Sequence, residues 1–265
     1  MSSGASDAIS TERRLTREVW LVLLLSLGQS AVYAAVSLLA KLTAPGGLRN
    51  QSATVVGSVT SRSLLDLTYQ LLGVAFALIP VLLALHFLSA SASGVPGRLR
   101  LGAARIGLGG GSLGVRRSVA WGAGLAAFIG IPGLGLYFLA RELGINATVI
   151  AAALNDHWWN LPVLVLSAIQ NAALEEIVVV GFLITRLRQL GMTARGAVLF
   201  SALLRGSYHL YQGFGAFIGN AVMGVIFGTF FVRKRTVLPL VIAHAIIDTV
   251  AFVGYALLKN TLNLP

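Results

Sequence analysis

The side chains able to do chemistry in this sequence are few and lie in apolar surroundings. Glu175 and Glu176 are adjacent in Leu174-Glu175-Glu176-Ile177, Arg205 precedes His209 by four residues, and His244 precedes Asp248 by four. A carboxylate and a neutral imidazole together can orient a water molecule and take its proton. A second imidazole backed by a carboxylate can polarise a carbonyl or hold an oxyanion. The same nitrogen and oxygen donors at Glu175, His209, His244 and Asp248 would also suit Zn or another divalent metal. There is no His-Glu-x-x-His pair to mark a helix-borne zinc site. With no Cys in the chain, disulfides and thiolate-ligated metals are excluded.

The surroundings of these residues explain why they stand out. The 265-residue chain is 56% hydrophobic and 11% charged, against about 25% charged in an ordinary soluble domain. Apolar runs near 19–42, 64–89, 119–140, 160–185, 196–213, 215–232 and 237–258 approach the ~20 residues a membrane helix needs. The fold class expected is all-α, a polytopic helix bundle of about seven spans, or eight if 146–156 adds a half-helix. Residues 1–18 read as a flexible cytoplasmic tail, 19–145 as N-terminal helices and loops, and 146–265 as the helix bundle holding the polar residues. A charge at the centre of a membrane helix costs about 2.5–3.5 kcal/mol on insertion scales, so this cluster is not incidental.

Depth bookkeeping brings the cluster together. At about 1.5 Å per residue, Glu175, His209 and the His244/Asp248 pair lie about 12–20 Å from the ends of their helices. Three helices thereby place polar groups at one level, and the site is expected to open toward the cytoplasm. In a regular helix Glu175 and Glu176 point about 100° apart. One is expected to face the histidines, and the other needs a partner against desolvation. Arg205, the one basic residue inside a span, is the candidate.

The net charge of +11 is a matter of topology rather than nucleic-acid binding. Arg13, Arg14 and Arg17, then Arg98, Arg100, Arg105, Arg116 and Arg117, then Arg186, Arg188 and Arg195, then Arg233, Lys234 and Arg235 all fall on one side. Lys41, Arg49, Arg62, Arg141 and Lys259 fall on the other. The positive-inside rule then puts the N-terminus in the cytoplasm. Partners expected are membrane lipids and a peptide or membrane-protein substrate, with the plasma membrane as location.

The three boxes, Glu175-Glu176-Ile177-Val178-Val179-Val180, Arg205-Gly206-Ser207-Tyr208-His209 and His244-Ala245-Ile246-Ile247-Asp248, resemble those of the CPBP family of intramembrane proteases. This is the CAAX prenyl endopeptidase and abortive-infection group, with the pattern EExxxR, FxxxH and HxxxN/D. The resemblance covers about 160–258. It implies an intramembrane endopeptidase with Glu175 and His209 activating water, His244 and Asp248 on the oxyanion side, and Glu176 as a supporting carboxylate. Two positions depart from the pattern: the family's Arg is Val180 here, and its Phe is Arg205. The two departures are expected to compensate, Arg205 pairing with Glu176. Two other readings compete. In a proton- or ion-coupled transporter the same residues would form a relay. A catalytically inactive scaffold or immunity protein would keep only the fold. Tyr208 and Tyr211 flank His209 and read as packing or as shaping the site, with packing favoured, and Asn220 as helix glue or a site residue.

Overall fold

In lipid a backbone amide must find its partner within its own segment, so the apolar runs wind into helices. The computed structural model describes residues 2–93, 99–154 and 157–261. Arg98, assigned above to the basic side, lies outside the described residues. In chain order the elements are α1 (Ser2–Leu24), α2 (Leu27–Thr43), β1 (Ser52–Gly57), α3 (Ser63–Ala77), α4 (Ile79–Ser93), α5 (Leu99–Arg105), α6 (Gly114–Glu142) and β2 (Thr148–Ala153). Then come α7 (Asn160–Glu175), a π-helical stretch over Glu176–Leu183, α8 (Ile184–Gln189), α9 (Ala194–Tyr208), α10 (Phe214–Lys234) and α11 (Leu238–Leu258). The all-α helix bundle expected from the sequence is the fold observed.

The number of spans is lower than expected. Among the described residues five helices are long and apolar enough to cross a membrane, or six if the α1/α2 pair, bent by 48°, counts as one. The missing member is 196–213. Its helix α9 has 15 residues, rising about 22 Å, short of a hydrocarbon core of ~30 Å. It ends in a turn completed by Gly213 at φ 128°, where a Cβ would meet the Ile145 carbonyl at 2.6 Å. Two further expectations are corrected. Within the expected tail 1–18, residues 2–18 are the first turns of α1, and Leu15 and Glu18 are buried. The half-helix expected at 146–156, of which 155 and 156 lie outside the described residues, is instead β2 over Thr148–Ala153, paired in parallel with β1 from Ser52↔Thr148 to Gly57↔Ala153. A run of Thr, Val, Ile and Ala carries no period that tells helix from strand.

The main core gathers Val22, Leu88, Ile106, Val178, Val180, Phe182, Leu183, Phe227, Leu240 and Ala243, so α7 through its π stretch runs through the middle of the bundle. A smaller cluster of Val56, Ala151, Ala152, Leu164, Ala168 and Phe252 seats the strand pair on α7 and α11. The α9–α10 turn is tied to the same end: Ala147 N donates to Gln212 O at 2.7 Å, Phe214 N to Ile145 O at 2.9 Å, and Lys41 Nζ to Tyr211 O at 2.5 Å. At the opposite end Val237 N donates to Ile106 O at 2.8 Å and Thr236 Oγ1 to Gly107 O at 2.7 Å. Helices α9 and α10 approach closely because Gly224 faces Ala202. A Cβ on Gly224 would lie 2.7 Å from the Ala202 Cα.

Candidate active site

Helix α7 carries Asn171 and Glu175 four residues apart, hence on one face. At Glu176 the winding loosens to π, a local form frequent at functional sites, and it lasts through Leu183. The π stretch is fully enclosed, and its Val179 carbonyl accepts from Ser201 Oγ on α9 at 2.8 Å. That bond holds α9 beside the two carboxylates.

Arg205 projects from α9 into this junction. Its Nη2 lies 3.1 Å from Glu175 Oε2, 2.5 Å from Glu176 Oε1 and 3.0 Å from His244 Nδ1. Both glutamates reach the same nitrogen, so the expected division, one carboxylate toward the histidines and the other paired with Arg205, is not the arrangement found. His244 Nδ1 is also 2.7 Å from Glu176 Oε1. A carboxylate can only accept, so that contact is an Nδ1–H donating to Glu176 when both are engaged. His244 Nε2 faces Asp248 Oδ1 at 3.5 Å. Tyr208 donates its hydroxyl to Glu175 Oε2 at 2.7 Å. The guanidinium lies over Phe227, 5.4 Å from the ring centroid, and its stem passes Gly224. Glu176 and Arg205 are wholly enclosed, and Glu175, Tyr208 and His244 nearly so. Burial of such charges is tolerated where they are paired, but the pairing here is uneven: one guanidinium nitrogen serves two carboxylates, while Glu176 Oε2 and the guanidinium Nε and Nη1 are buried without a hydrogen-bond partner among the described residues.

His209 stands differently. Its Nδ1 lies 3.0 Å from the Arg205 carbonyl oxygen. A carbonyl accepts only, so Nδ1 carries the hydrogen and, in the neutral ring, Nε2 keeps its lone pair. The imidazole is tilted against Tyr208 with centroids 4.8 Å apart. Asp248 is held at its other oxygen by Asn171 Nδ2 at 3.5 Å. Asn171, His209 and Asp248 are the partly exposed members of the group. Asn171 and Asp248 lie one turn from Glu175 and His244, and His209 follows Tyr208. All three are displaced toward the end of the molecule that carries the strand pair.

Glu175, Glu176, Arg205 and His244 are thus in direct contact, with Asp248 at the edge, and among the described residues His209 is hydrogen-bonded to backbone alone. The ligand set also differs from the expected one. Among the described residues the metal-capable atoms that converge belong to Glu175, Glu176 and His244, within 4.8 Å of one another. His209 and Asp248 are not in that set. Sequence reasoning favoured packing over a site role for Tyr208, and missed Asn171. Each had a readable cue: Tyr208 follows Arg205 by three residues, and Asn171 is an amide one turn before Glu175. Asn220 donates to Ala216 O on its own helix at 3.0 Å.

Residues 157–250 match the family described as type II CAAX prenyl endopeptidase Rce1-like. All three boxes fall within the match, which supports the resemblance to the CPBP intramembrane proteases. No curated protein and no solved structure matches the chain.

Proposed function

With a CAAX-type intramembrane protease family matched over residues 157–250, we propose that this chain is an integral membrane endopeptidase that hydrolyses a peptide bond with a water activated by Glu175 and His209. The observation that carries the reading is the orientation of those two groups. Tyr208 and Arg205 both hold Glu175 Oε2, leaving Oε1 for water. The Arg205 carbonyl fixes the His209 ring hydrogen at Nδ1, leaving Nε2 for a proton. Glu175 and His209 deprotonate the water as its oxygen attacks the scissile carbonyl. His244 keeps its Nδ1–H on Glu176 and acts as the imidazolium, whose second hydrogen, at Nε2 on the Asp248 side, stabilises the oxyanion. The proton gained is passed to the leaving amine. Glu176 takes no part in bond making; it anchors Arg205 and His244.

The test is cleavage of membrane-inserted and prenylated peptides by purified protein. Glu175→Gln and His209→Asn should each abolish cleavage while elution volume and helix content stay unchanged. Equal cleavage by wild type and both variants would reveal a contaminating protease and overturn the reading.

Access is proposed from the strand-pair end. That end carries Lys41, Arg49, Arg62 and Arg141, and the opposite end the larger basic set. The positive-inside rule therefore turns the site away from the cytoplasm, contrary to the opening expected from depth alone. The chain has no Cys, so single cysteines report unambiguously. On intact cells a membrane-impermeant maleimide should label Val59→Cys and spare Ser112→Cys. The reverse pattern would give the site a cytoplasmic mouth, the side on which prenylated substrates would be met.

A further inference from the structure

We infer that the Arg205 guanidinium is the resident cation of this site, standing where Glu175, Glu176 and His244 would otherwise hold a divalent metal. The three donors are of the kind zinc accepts, two carboxylate oxygens and an imidazole nitrogen, and they converge within 4.8 Å. Arg205 Nη2 already touches all three: Glu175 Oε2 at 3.1 Å, Glu176 Oε1 at 2.5 Å and His244 Nδ1 at 3.0 Å. A zinc ion would need these three atoms at about 2.0–2.2 Å, with His244 giving up the Nδ1 hydrogen that it directs at Glu176, so nitrogen and metal cannot both be seated. Nor has the arginine anywhere obvious to go. Its side chain is completely buried, with Phe227 against the guanidinium and its Cδ 3.4 Å from where a Gly224 Cβ would stand. A guanidinium keeps its charge at any working pH and offers no coordination position to water. Where the peptidase reading holds, Glu175 and His209 act on a water that no metal polarises.

The consequence is specific to this chain, because the arginine comes from the second box. Removing it uncovers a metal site. The experiment is Co(II) binding by the full chain in detergent, read by bound-metal analysis and visible absorption without substrate, so that failure of the peptidase reading leaves it interpretable. Wild type should retain no Co(II). Arg205→Ala should bind about one equivalent with a tetrahedral-type spectrum, and Arg205→Ala/His244→Ala should lose it. Should Arg205→Ala not fold, Arg205→Met, which keeps the stem, replaces it. Stoichiometric Co(II) on wild type that His244→Ala abolishes, or a folded variant lacking the guanidinium that binds none, overturns the inference.

Discussion

Two fully buried arginines share one architecture and differ in what surrounds them. Arg186, at the end of the helix that carries Glu175 and Glu176, meets Glu18 of α1 at 2.6 Å and donates to Gln189 Oε1 at 2.6 Å. Its guanidinium lies 5.4 Å from the Phe182 ring centroid. Arg205 likewise rests on a phenyl ring at 5.4 Å. But Arg186 faces one buried carboxylate and an amide, whereas one Arg205 nitrogen serves two carboxylates and an imidazole. In the first cluster one cation answers one anion. In the second, three groups share one nitrogen, and under the proposed reading the atoms of Glu175 and His244 left over from that sharing act on a substrate. The two clusters are thus equally buried and differ in how evenly the charge is shared.

The largest effects should come from removing either cation. Breaking a buried ion pair leaves an uncompensated charge and costs about 3–5 kcal/mol. Arg186→Met and Arg205→Met should both lower the thermal unfolding midpoint in detergent strongly. An unchanged midpoint for Arg186→Met would break the likeness, reducing the Glu18 contact to decoration.

Neutralising the acids should separate the two clusters. Glu175→Gln should lower kcat about 10²–10⁴-fold, the range for a positioned acid–base group, with a modest change in unfolding midpoint. Glu18→Gln should lower the midpoint and leave kcat of the folded fraction within about twofold, since it makes no contact with reacting atoms. Equal losses of kcat would mean that the site depends on the α1 anchor, and the contrast would fail.

The sequence shows this contrast only in part, and the reasons are physical. The Glu175/Glu176, Arg205 and His244/Asp248 boxes stand out because a charge in an apolar helix is costly wherever it sits. The bundle follows from the apolar runs in the same way. The π winding is invisible because Ile177–Leu183 is apolar on every side, so no face records its period. Arg186 reads as an ordinary loop cation, since its partner Glu18 lies in a segment polar enough to pass for a tail. The spacing from Arg205 places Tyr208 near the site, but its bond to Glu175 depends on how α9 docks against α7, a tertiary fact that spacing does not encode.

A smaller effect tests Tyr208. Its hydroxyl donates to Glu175 Oε2 at 2.7 Å, and a hydrogen bond to a charged group contributes about 1.5–3 kcal/mol. Tyr208→Phe should reduce kcat about tenfold or more, with KM little changed because the bond orients the carboxylate rather than the substrate. A change confined to KM would move Tyr208 from positioning the acid to contacting the peptide.

The smallest effect comes from the edge of the structural cluster. Arg14 approaches Glu18 Oε1 at 3.8 Å while its own side chain is 57% exposed. An exposed pair of this kind contributes about 0.2–1 kcal/mol and is screened by salt. Arg14→Ala should therefore shift the unfolding midpoint slightly at low ionic strength and not at all near 1 M salt, where the Debye length is about 3 Å. Arg186→Met should keep its full effect at both ionic strengths, because water and ions do not reach a guanidinium with no exposed surface. Should the Arg14 effect persist in high salt, Glu18 would be shared between two cations. The structural cluster would then be unequal as well, the mirror image of the catalytic one, and inequality of sharing could no longer tell them apart.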